Sequence, residues 1–264
     1  MSAGPYLSVV VPAYNEEQRL PETLEQLRSY CMRHPFEGEV LVVDDGSEDD
    51  TALVVEKAAV AWPSLHLLRL AHSGKGQAIK AGLLAARGEV IFICDADLSM
   101  PIEQLSGFLL AMHEGCQVAI GSREAPGAVR YGEPMQRHLM GRVFNWLVRA
   151  LVLPGIQDTQ CGFKCFTQAV ARDLASCQRL RGWGFDVELL FIARKRGYAI
   201  QEIPISWYYK PSSRISPLRD SLHMTRDLFA VRENNRSGCY ELAPQAESAL
   251  TSGPQRAETG RSVE

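Results

Sequence analysis

Four short apolar segments in the first part of the chain alternate with stretches of helical pattern. The segments are 7–12, 39–43, 65–70 and 90–94, and helices are predicted between them at 21–34, 49–61 and 77–86. Strands and helices that alternate at this spacing predict parallel βαβ units. We therefore expect an α/β fold with a mostly parallel central sheet flanked by helices, and a ligand site where the carboxyl ends of the strands meet.

Two carboxylates follow the most apolar of these segments. Asp95 and Asp97 are two positions apart, so their side chains point the same way if the chain stays extended. Like charges held together resist burial unless a cation lies between them, and Mg²⁺ bound by carboxylates and substrate phosphates is a common arrangement. The alternative is a pair of ordinary loop aspartates before a helix, for which Ser99 and Pro101 supply start signals.

Polar residues follow the other three segments as well. They are Tyr14, Asn15 and Glu16 after the first, Asp44 and Asp45 after the second, and Lys75 after the third. Residues 44–47 alone could form a helix-capping turn, but the agreement of all four loops favours one shared site. A dinucleotide or P-loop site is not predicted, because G-x-G-x-x-G does not follow the first strand and the lysine lacks the P-loop's flanking residues.

The composition excludes several classes of protein. The chain is 46% hydrophobic and 22% charged, as in soluble globular proteins, and its net charge of -3 argues against general nucleic-acid binding. We expect no signal peptide and no membrane span, and the seven irregularly spaced cysteines fit reduced cytosolic thiols. A single domain is expected over 1–236. Residues 237–264 are predicted to be a disordered tail, because small and polar residues dominate there.

The motifs at the strand ends resemble those of family 2 inverting glycosyltransferases, which have the GT-A fold. They are VVVPAYNE at 9–16, VVDDGS at 42–47, GKG at 74–76 and DAD at 95–97. Three later motifs resemble the branch that loads sugars onto lipid phosphates: GSR at 121–123, DTQCGFK at 158–164 and WGFDVELL at 183–190. The forms QCGFK and FDVELL resemble dolichyl-phosphate glucosyltransferases more than the mannosyl enzymes.

The resemblance implies a nucleotide-sugar donor and a divalent cation, Mg²⁺ or Mn²⁺. The donor would contact Pro12, Ala13, Tyr14, Glu16, Val43, Asp45, Lys75, Asp95 and Ala96. By the same resemblance, Asp95 and Asp97 would hold the metal on the diphosphate, and Arg123 matches a family arginine near the phosphates. A third metal contact of related enzymes falls at Ser99, where this chain lacks the longer amide side chain.

The expected acceptor is a phosphate on a lipid. The second pKa of a phosphate monoester is about 6, so such an acceptor is already ionised at neutral pH and needs cations more than a base. The available cations are Arg123, Arg130, Arg137, Lys210 and Arg214, and of these Arg123, Arg137, Lys210 and Arg214 are the predicted acceptor-phosphate residues. Asp158 is the candidate base or orienting carboxylate, with a helix or turn cap as the alternative. Arg123 and Asp158 are therefore the predicted catalytic residues.

Amphipathic helices are predicted at 137–153 and 218–231, and both carry arginines beside apolar faces. Such a helix suits a membrane interface, although an ordinary core helix has the same pattern. We expect peripheral attachment to the cytoplasmic face of a membrane. Further helices are predicted at 168–175 and 185–196, and a strand at 199–207 on the far side of the sheet.

The leading prediction is an inverting, metal-dependent transferase that moves a hexose onto a polyprenyl or dolichyl phosphate. UDP-glucose is the favoured donor, and the product would be β-linked. The alternatives are mannosyl transfer from GDP-mannose, a family 2 transferase with a soluble or glycan acceptor, and a non-catalytic nucleotide-sugar-binding protein. The presence of Asp95, Asp97 and Asp158 argues against the last.

Overall fold

The computed structural model describes residues 4–210 and 217–241, and for 217–222 it describes the backbone alone. The first half of the chain contains β1 (Leu7–Ala13), α1 (Leu20–Arg33), β2 (Gly38–Asp44), α2 (Thr51–Val60), β3 (Leu65–Arg69), α3 (Lys75–Ala85) and β4 (Val90–Ile93). The second half contains α4 (Leu105–His113), β5 (Val118–Ser122), β6 (Val129–Tyr131), α5 (Met135–Leu151), β7 (Lys164–Thr167), α6 (Gln168–Cys177), α7 (Phe185–Lys195), β8 (Ile200–Pro204), β9 (Ser206–Tyr208) and α8 (Pro217–Arg236).

Seven strands form the central sheet in the order β3-β2-β1-β4-β7-β5-β8. Strand β7 is antiparallel to β4 and β5, and the other neighbouring strands are parallel. The predicted mostly parallel sheet is therefore confirmed. Because every strand except β7 runs the same way, the loops that follow β1 to β5 and β8 leave the sheet at one edge.

The sheet is buried on both faces, which explains the unbroken apolar character of its central strands. Val9 and Val11 of β1 pack into a core with α1, α2 and α4, whereas Val10 packs into a second core with α3, α5, α6 and α7. Successive side chains of a strand point to opposite faces, so one strand contributes to both cores.

The predicted strand at 199–207 is wrong in one respect, because two strands occupy it. Strand β8 pairs with β5 at the far edge of the sheet, as expected, but β9 pairs with β6 in a separate two-stranded sheet. Pro204 ends β8, since proline has no backbone N–H for a further ladder bond. The buried Ile205 then joins the two sheets by accepting a backbone hydrogen bond from Val129 (3.0 Å).

Helix α8 returns along the molecule to α5 and α7. The Asp227 carboxylate accepts a hydrogen bond from the backbone of Gly184, just before α7 begins. Residues 237–241 follow the helix and are ordered, and the Tyr240 hydroxyl donates to the buried Glu188 carboxylate at 2.6 Å. The predicted disordered tail at 237–264 thus starts too early, and 242–264 lie outside the described residues. Among the described helices, none combines the length and the apolarity that a bilayer crossing needs.

Candidate active site

The predicted donor residues of β1 and β2 lie side by side at the edge of the sheet. Pro12 and Val43 are direct neighbours in the β1–β2 register, and both are buried together with Ala13. The ring of Tyr14 stacks on the ring of His72, with centroids 4.2 Å apart and an interplanar angle of 24°. This site therefore presents backbone and one aromatic pair to a ligand.

The loop after β1 is tied to the loop after β2. Asn15 adopts the left-handed backbone conformation (φ 52°), and its backbone N–H donates to Ser47 Oγ at 2.8 Å. The Glu16 N–H donates to Thr51 Oγ1 at 2.7 Å, and the Glu16 carboxylate pairs with Arg19 at 3.0 Å. These contacts fix the path of the chain beside Tyr14.

The two aspartates after β2 have different partners. Asp44 accepts the Ser47 N–H at 2.9 Å, so the turn alternative describes this residue. Asp45 instead reaches the loop after β3, where its carboxylate accepts the backbone N–H groups of Ser73 (2.9 Å) and Gly74 (2.8 Å). The imidazole of His72 lies 3.0 Å from the same carboxylate. Asp45 thus holds the loop that carries Lys75 against the donor side of the site.

Lys75 joins the loop after β3 to the end of β4. Its ammonium donates to Asp95 Oδ1 at 2.5 Å and lies 5.0 Å from the centroid of the Trp183 ring. Burial lowers the pKa of Lys75, but Asp95, Asp186 and Asp97 outweigh that effect and the pKa is raised. Burial likewise disfavours the charged form of Asp95, but Lys75 overcomes it and lowers the pKa of that carboxyl.

Asp97 is close enough to Asp95 to feel its charge, although the chain does not stay extended and turns at residues 96–97. Burial and the charge of Asp95 raise the pKa of Asp97, although the backbone of Ser99 donates to its carboxylate at 3.0 Å. A cation would relieve this repulsion. Among the described residues, no cluster of three or more His, Cys, Asp or Glu side chains could hold a metal, so the remaining ligands would be substrate or water oxygens. Such an all-oxygen donor set fits Mg²⁺ or Mn²⁺.

A glycine leaves room for the first of these carboxylates. A Cβ atom on Gly162 would lie only 2.1 Å from Asp95 Oδ2. Gly162 belongs to the 158–164 motif, which precedes β7 and is brought to the end of β4 because β7 pairs with β4 antiparallel. The antiparallel strand is thus the element that joins the two groups of motifs into one site.

Arg123 and Asp158 form a buried bidentate pair. Arg123 Nε lies 2.6 Å from Asp158 Oδ2, Nη2 lies 2.9 Å from Oδ1, and the Arg123 backbone N–H donates to Oδ2 at 3.0 Å. Burial would raise the pKa of Asp158, but Arg123 lowers it to about 2. Glu202 of β8 fixes the Asp158 backbone by accepting its N–H at 3.1 Å. Since both carboxylate oxygens bind Arg123, the geometry favours the orienting role over the general-base role.

Comparison with known proteins places the chain in a family. A family model described as glycosyl transferase family 2 matches residues 8–175. The dolichyl-phosphate beta-glucosyltransferase of Dictyostelium discoideum is 32% identical over 251 residues, which cover 90% of this chain and 77% of that protein. The human protein of the same name is 36% identical over 251 residues, covering 89% and 78%. The chain belongs to glycosyl transferase family 2.

The fold of this family 2 glycosyltransferase is shared with a solved structure. Glucosyl-3-phosphoglycerate synthase of Mycobacterium tuberculosis, crystallised with Mn²⁺, UDP and glucosyl-3-phosphoglycerate, has a TM-score of 0.63 at 23% identity, covering 89% of this chain and 81% of that one. At this identity the likeness concerns the fold alone. It confirms the predicted GT-A fold.

The remaining predicted cations of the glycosyltransferase lie in different surroundings. The guanidinium of Arg137 lies over the ring of Tyr209, with its carbon 5.0 Å from the centroid. Lys210 and Asp97 both line a cavity of about 360 Å³ that Tyr208 also lines. Arg214 lies outside the described residues. Lys210 therefore shares a cavity with Asp97, whereas Arg137 lies against Tyr209.

A second buried ion pair, between Lys164 and Asp186, was not predicted from the sequence. Lys164 donates to Asp186 Oδ1 at 2.5 Å and also to the backbone carbonyl of Cys161. Both side chains are buried, and each belongs to a motif that carries the family resemblance. A charged residue in each of these two motifs was a usable signal. Their partnership was not, because the two are 22 positions apart.

Two tryptophans near the charged residues of the site have separate environments. Trp207 is buried, and the guanidinium carbon of Arg123 lies 5.4 Å from its ring centroid. Trp183 is partly exposed beside Lys75 and is not a core residue. The exposed ring of Trp183 lies beside the Lys75–Asp95 pair, where a ligand could contact it. The buried ring of Trp207 packs against Arg123.

Proposed function

We propose that this enzyme transfers glucose from UDP-glucose to a dolichyl or polyprenyl phosphate and gives a β-linked product. Its relatives from Dictyostelium and human carry the name dolichyl-phosphate beta-glucosyltransferase and match about nine tenths of the chain. The observation that carries the proposal is a carboxylate pair with Lys75 on one side and a buried, oriented arginine on the other. A diphosphate donor and a phosphate acceptor need such a combination of charges.

On the donor side, Tyr14 and His72 would contact the base, and the loop held by Asp45 would contact the ribose and diphosphate. Asp95 and Asp97 would hold Mg²⁺ or Mn²⁺, which offsets the negative charge on the departing diphosphate when bound. Lys75 adds a second positive charge at the same place. Each of these groups lies at the end of a parallel strand or in the loop after it, so the chain positions them before the donor arrives.

On the acceptor side, the ionised lipid phosphate is the nucleophile. It needs orientation and charge neutralisation rather than proton removal. Arg123 presents a planar guanidinium whose rotation is blocked by Asp158, and Arg137, Lys210 and Arg214 are the proposed additional cations. A single displacement at the sugar carbon by this phosphate inverts its configuration, so an α-linked donor gives a β-linked product.

The acceptor is a lipid, and α5 offers a surface for the membrane that contains it. Met135, Leu139, Val143 and Trp146 lie along one side of α5 and are 86, 62, 53 and 60% exposed. The opposite side packs into the core through Phe144 and Val148. The core-helix alternative therefore describes only one side of α5. We propose that the exposed side lies on the cytoplasmic face of a membrane, beside the lipid phosphate.

Glycosyl transfer with matched substrates tests the proposal. The purified enzyme is incubated with Mn²⁺ and radiolabelled UDP-glucose or GDP-mannose, and with dolichyl phosphate or the soluble acceptor 3-phosphoglycerate. We expect label in the lipid extract from UDP-glucose and dolichyl phosphate only. Label from GDP-mannose would change the donor, label in the aqueous product would change the acceptor, and no transfer with any pair would favour a binding protein.

A further inference from the structure

Lys75 occupies a fixed place beside the proposed metal ligand. It is the first residue of α3 and follows Gly74, which has φ 106°. A Cβ atom on Gly74 would lie 2.7 Å from the carbonyl oxygen of Arg181, and one on Gly76 would lie 2.7 Å from that of Leu180. The two glycines let the backbone on either side of Lys75 press against residues 180–181. The lysine side chain is thereby aimed at the end of β4.

Within residues 4–210 and 217–241, the ammonium of Lys75 has one charged hydrogen-bond partner. It donates to Asp95 Oδ1 at 2.5 Å, and the pair is largely shielded, with 19% of the lysine side chain and 31% of the aspartate side chain exposed. The rings of Trp183 and Phe185 lie on another side of the ammonium, 5.0 and 6.0 Å from it. Aromatic faces attract the cation without replacing a carboxylate as hydrogen-bond acceptor. The lysine therefore uses an oxygen of Asp95 that a divalent cation would also seek.

We propose that Lys75 makes binding of the divalent cation depend on the nucleotide diphosphate. The inference rests on the proposed function. In the free enzyme the ammonium competes with the cation for Asp95. A diphosphate brings new oxygens for the ammonium to contact, so Lys75 moves onto the phosphates and Asp95 becomes available to the cation. The cation and the nucleotide consequently bind with positive coupling, and by linkage each increases the affinity for the other by the same factor.

Another lysine on the same helix provides a matched control. Lys80 also lies on α3, but its ammonium donates to the backbone carbonyl of Gln178 at 2.8 Å. Lys80→Met removes the same charge from the same helix without releasing a carboxylate. A general electrostatic effect would therefore appear in both lysine variants, whereas direct competition would appear only in Lys75→Met.

Binding of Mn²⁺ without turnover tests the proposal. Free Mn²⁺ is measured by electron paramagnetic resonance for the wild type, Lys75→Met, Lys75→Gln and Lys80→Met, with and without UDP, and corrected for Mn²⁺ bound by UDP in solution. In the wild type and Lys80→Met we expect UDP to increase Mn²⁺ affinity on the order of tenfold. In Lys75→Met and Lys75→Gln we expect Mn²⁺ alone to bind roughly tenfold tighter than in the wild type. UDP should then increase Mn²⁺ affinity by a smaller factor than in the wild type, because only the direct contact of its phosphates with the cation remains.

The outcomes separate this inference from the proposed function. If UDP tightens Mn²⁺ binding equally in the wild type and in both Lys75 variants, the coupling does not come from Lys75 and the inference is wrong. The same conclusion follows if Mn²⁺ alone binds the Lys75 variants no more tightly than the wild type. If the wild type binds neither Mn²⁺ nor UDP, the proposed function fails together with the inference. Thermal unfolding of each variant establishes that it is folded.

Discussion

The two halves of the sheet hold their functional residues in different ways. From β1 to β4, the proposed donor residues lie mostly on loops that are joined by hydrogen bonds, such as those from the backbone of Ser73 and Gly74 to Asp45. From β5 onward, the charged residues are held by buried partners on distant elements, as Arg123 is held by Asp158. The first half is a set of strand-end loops that we propose to bind the donor. In the second half, the buried charged side chains are already paired with one another within the fold.

This difference predicts separate consequences for function and stability. Substitution of Asp95 or Asp97 in the first half should remove activity and leave the fold intact, because these two carboxylates are only partly buried. Substitutions in the second half should cost both, because a buried charge loses its partner.

The largest expected effect is on activity, from Asp97→Asn. The amide retains an oxygen that can accept the Ser99 N–H but removes one of the two charges proposed to bind the cation. We expect kcat for glucosyl transfer to fall by roughly 100- to 1000-fold, the range found when one electrostatic contact to a transition state is lost. Mn²⁺ affinity in the presence of UDP should fall too, and the melting temperature should stay within a few degrees. Normal turnover by this variant would remove Asp97 from the metal site.

The next largest effect is on stability, from Arg123→Met. It leaves the fully buried Asp158 without its bidentate partner, and breaking a buried pair in this way costs about 3–5 kcal/mol. Urea unfolding of the wild type, Arg123→Met and the double variant Arg123→Met, Asp158→Asn measures this cost. The double variant should recover part of it, because no charge is then left buried. Activity should stay low in both, since neither supplies the guanidinium to the acceptor phosphate.

The acid dependence of stability tests the same pair. The Asp158 carboxyl has its pKa lowered from 3.8 to about 2, so its contribution is fully present above pH 3.8 and is lost as the pH falls through 2. A shift of this size corresponds to about 2 kcal/mol. The free energy of unfolding of the wild type should therefore approach that of Asp158→Asn between pH 6 and pH 2.5. If the difference in unfolding free energy between the two proteins stayed constant across that range, the pKa of Asp158 would be the same in the folded and unfolded states.

The first half of the fold could be predicted almost completely from the sequence. Its strands are continuous apolar runs and its helices lie between them, so local pattern alone determines β1 to β4 and places Asp95, Asp97 and Lys75 at one edge. The second half depends on contacts between distant residues. The antiparallel β7, the division of 199–207 at Pro204 and the pairing of Lys164 with Asp186 leave no periodic signal in the chain. The family resemblance supplied their motifs but not their partners.

The proposed membrane contact involves the exposed side of α5 and not the charged residues of the site. The double variant Val143→Ser, Trp146→Ser should bind phospholipid vesicles about tenfold more weakly, or about 1.4 kcal/mol, because two apolar side chains no longer enter the interface. Leu110→Ser is the control, since Leu110 is similarly exposed (58%) but lies on α4 on the other face of the sheet. Co-sedimentation with vesicles gives the affinity, and binding of UDP with Mn²⁺ should not change. Equal vesicle binding by all three proteins would place the membrane contact elsewhere.

The smallest expected effect comes from a substitution in the segment after α8. This segment is connected through Glu188 to the residues that pack beside Lys75. The Tyr240 hydroxyl donates to Glu188, whose carboxylate also accepts the backbone N–H groups of Arg179 (2.9 Å) and Leu180 (2.8 Å). Leu180 and the next residue, Arg181, press against the glycines on either side of Lys75. Tyr240→Phe should therefore cost about 1 kcal/mol in urea unfolding and raise KM for the donor about twofold, with kcat unchanged.

Tyr198→Phe provides the matched comparison for Tyr240→Phe. Its hydroxyl also donates to a carboxylate, that of Asp173 on α6 at 2.9 Å, but Asp173 accepts no backbone hydrogen bond from residues 179–183 among the described residues. We expect a similar or smaller stability loss and an unaltered KM for the donor. If both variants change KM alike, the change in KM follows from the general loss of stability and not from the contact of Tyr240 with Glu188. If only Tyr240→Phe does so, the last described residues of the second half help to position the loop that the first half uses to contact the diphosphate.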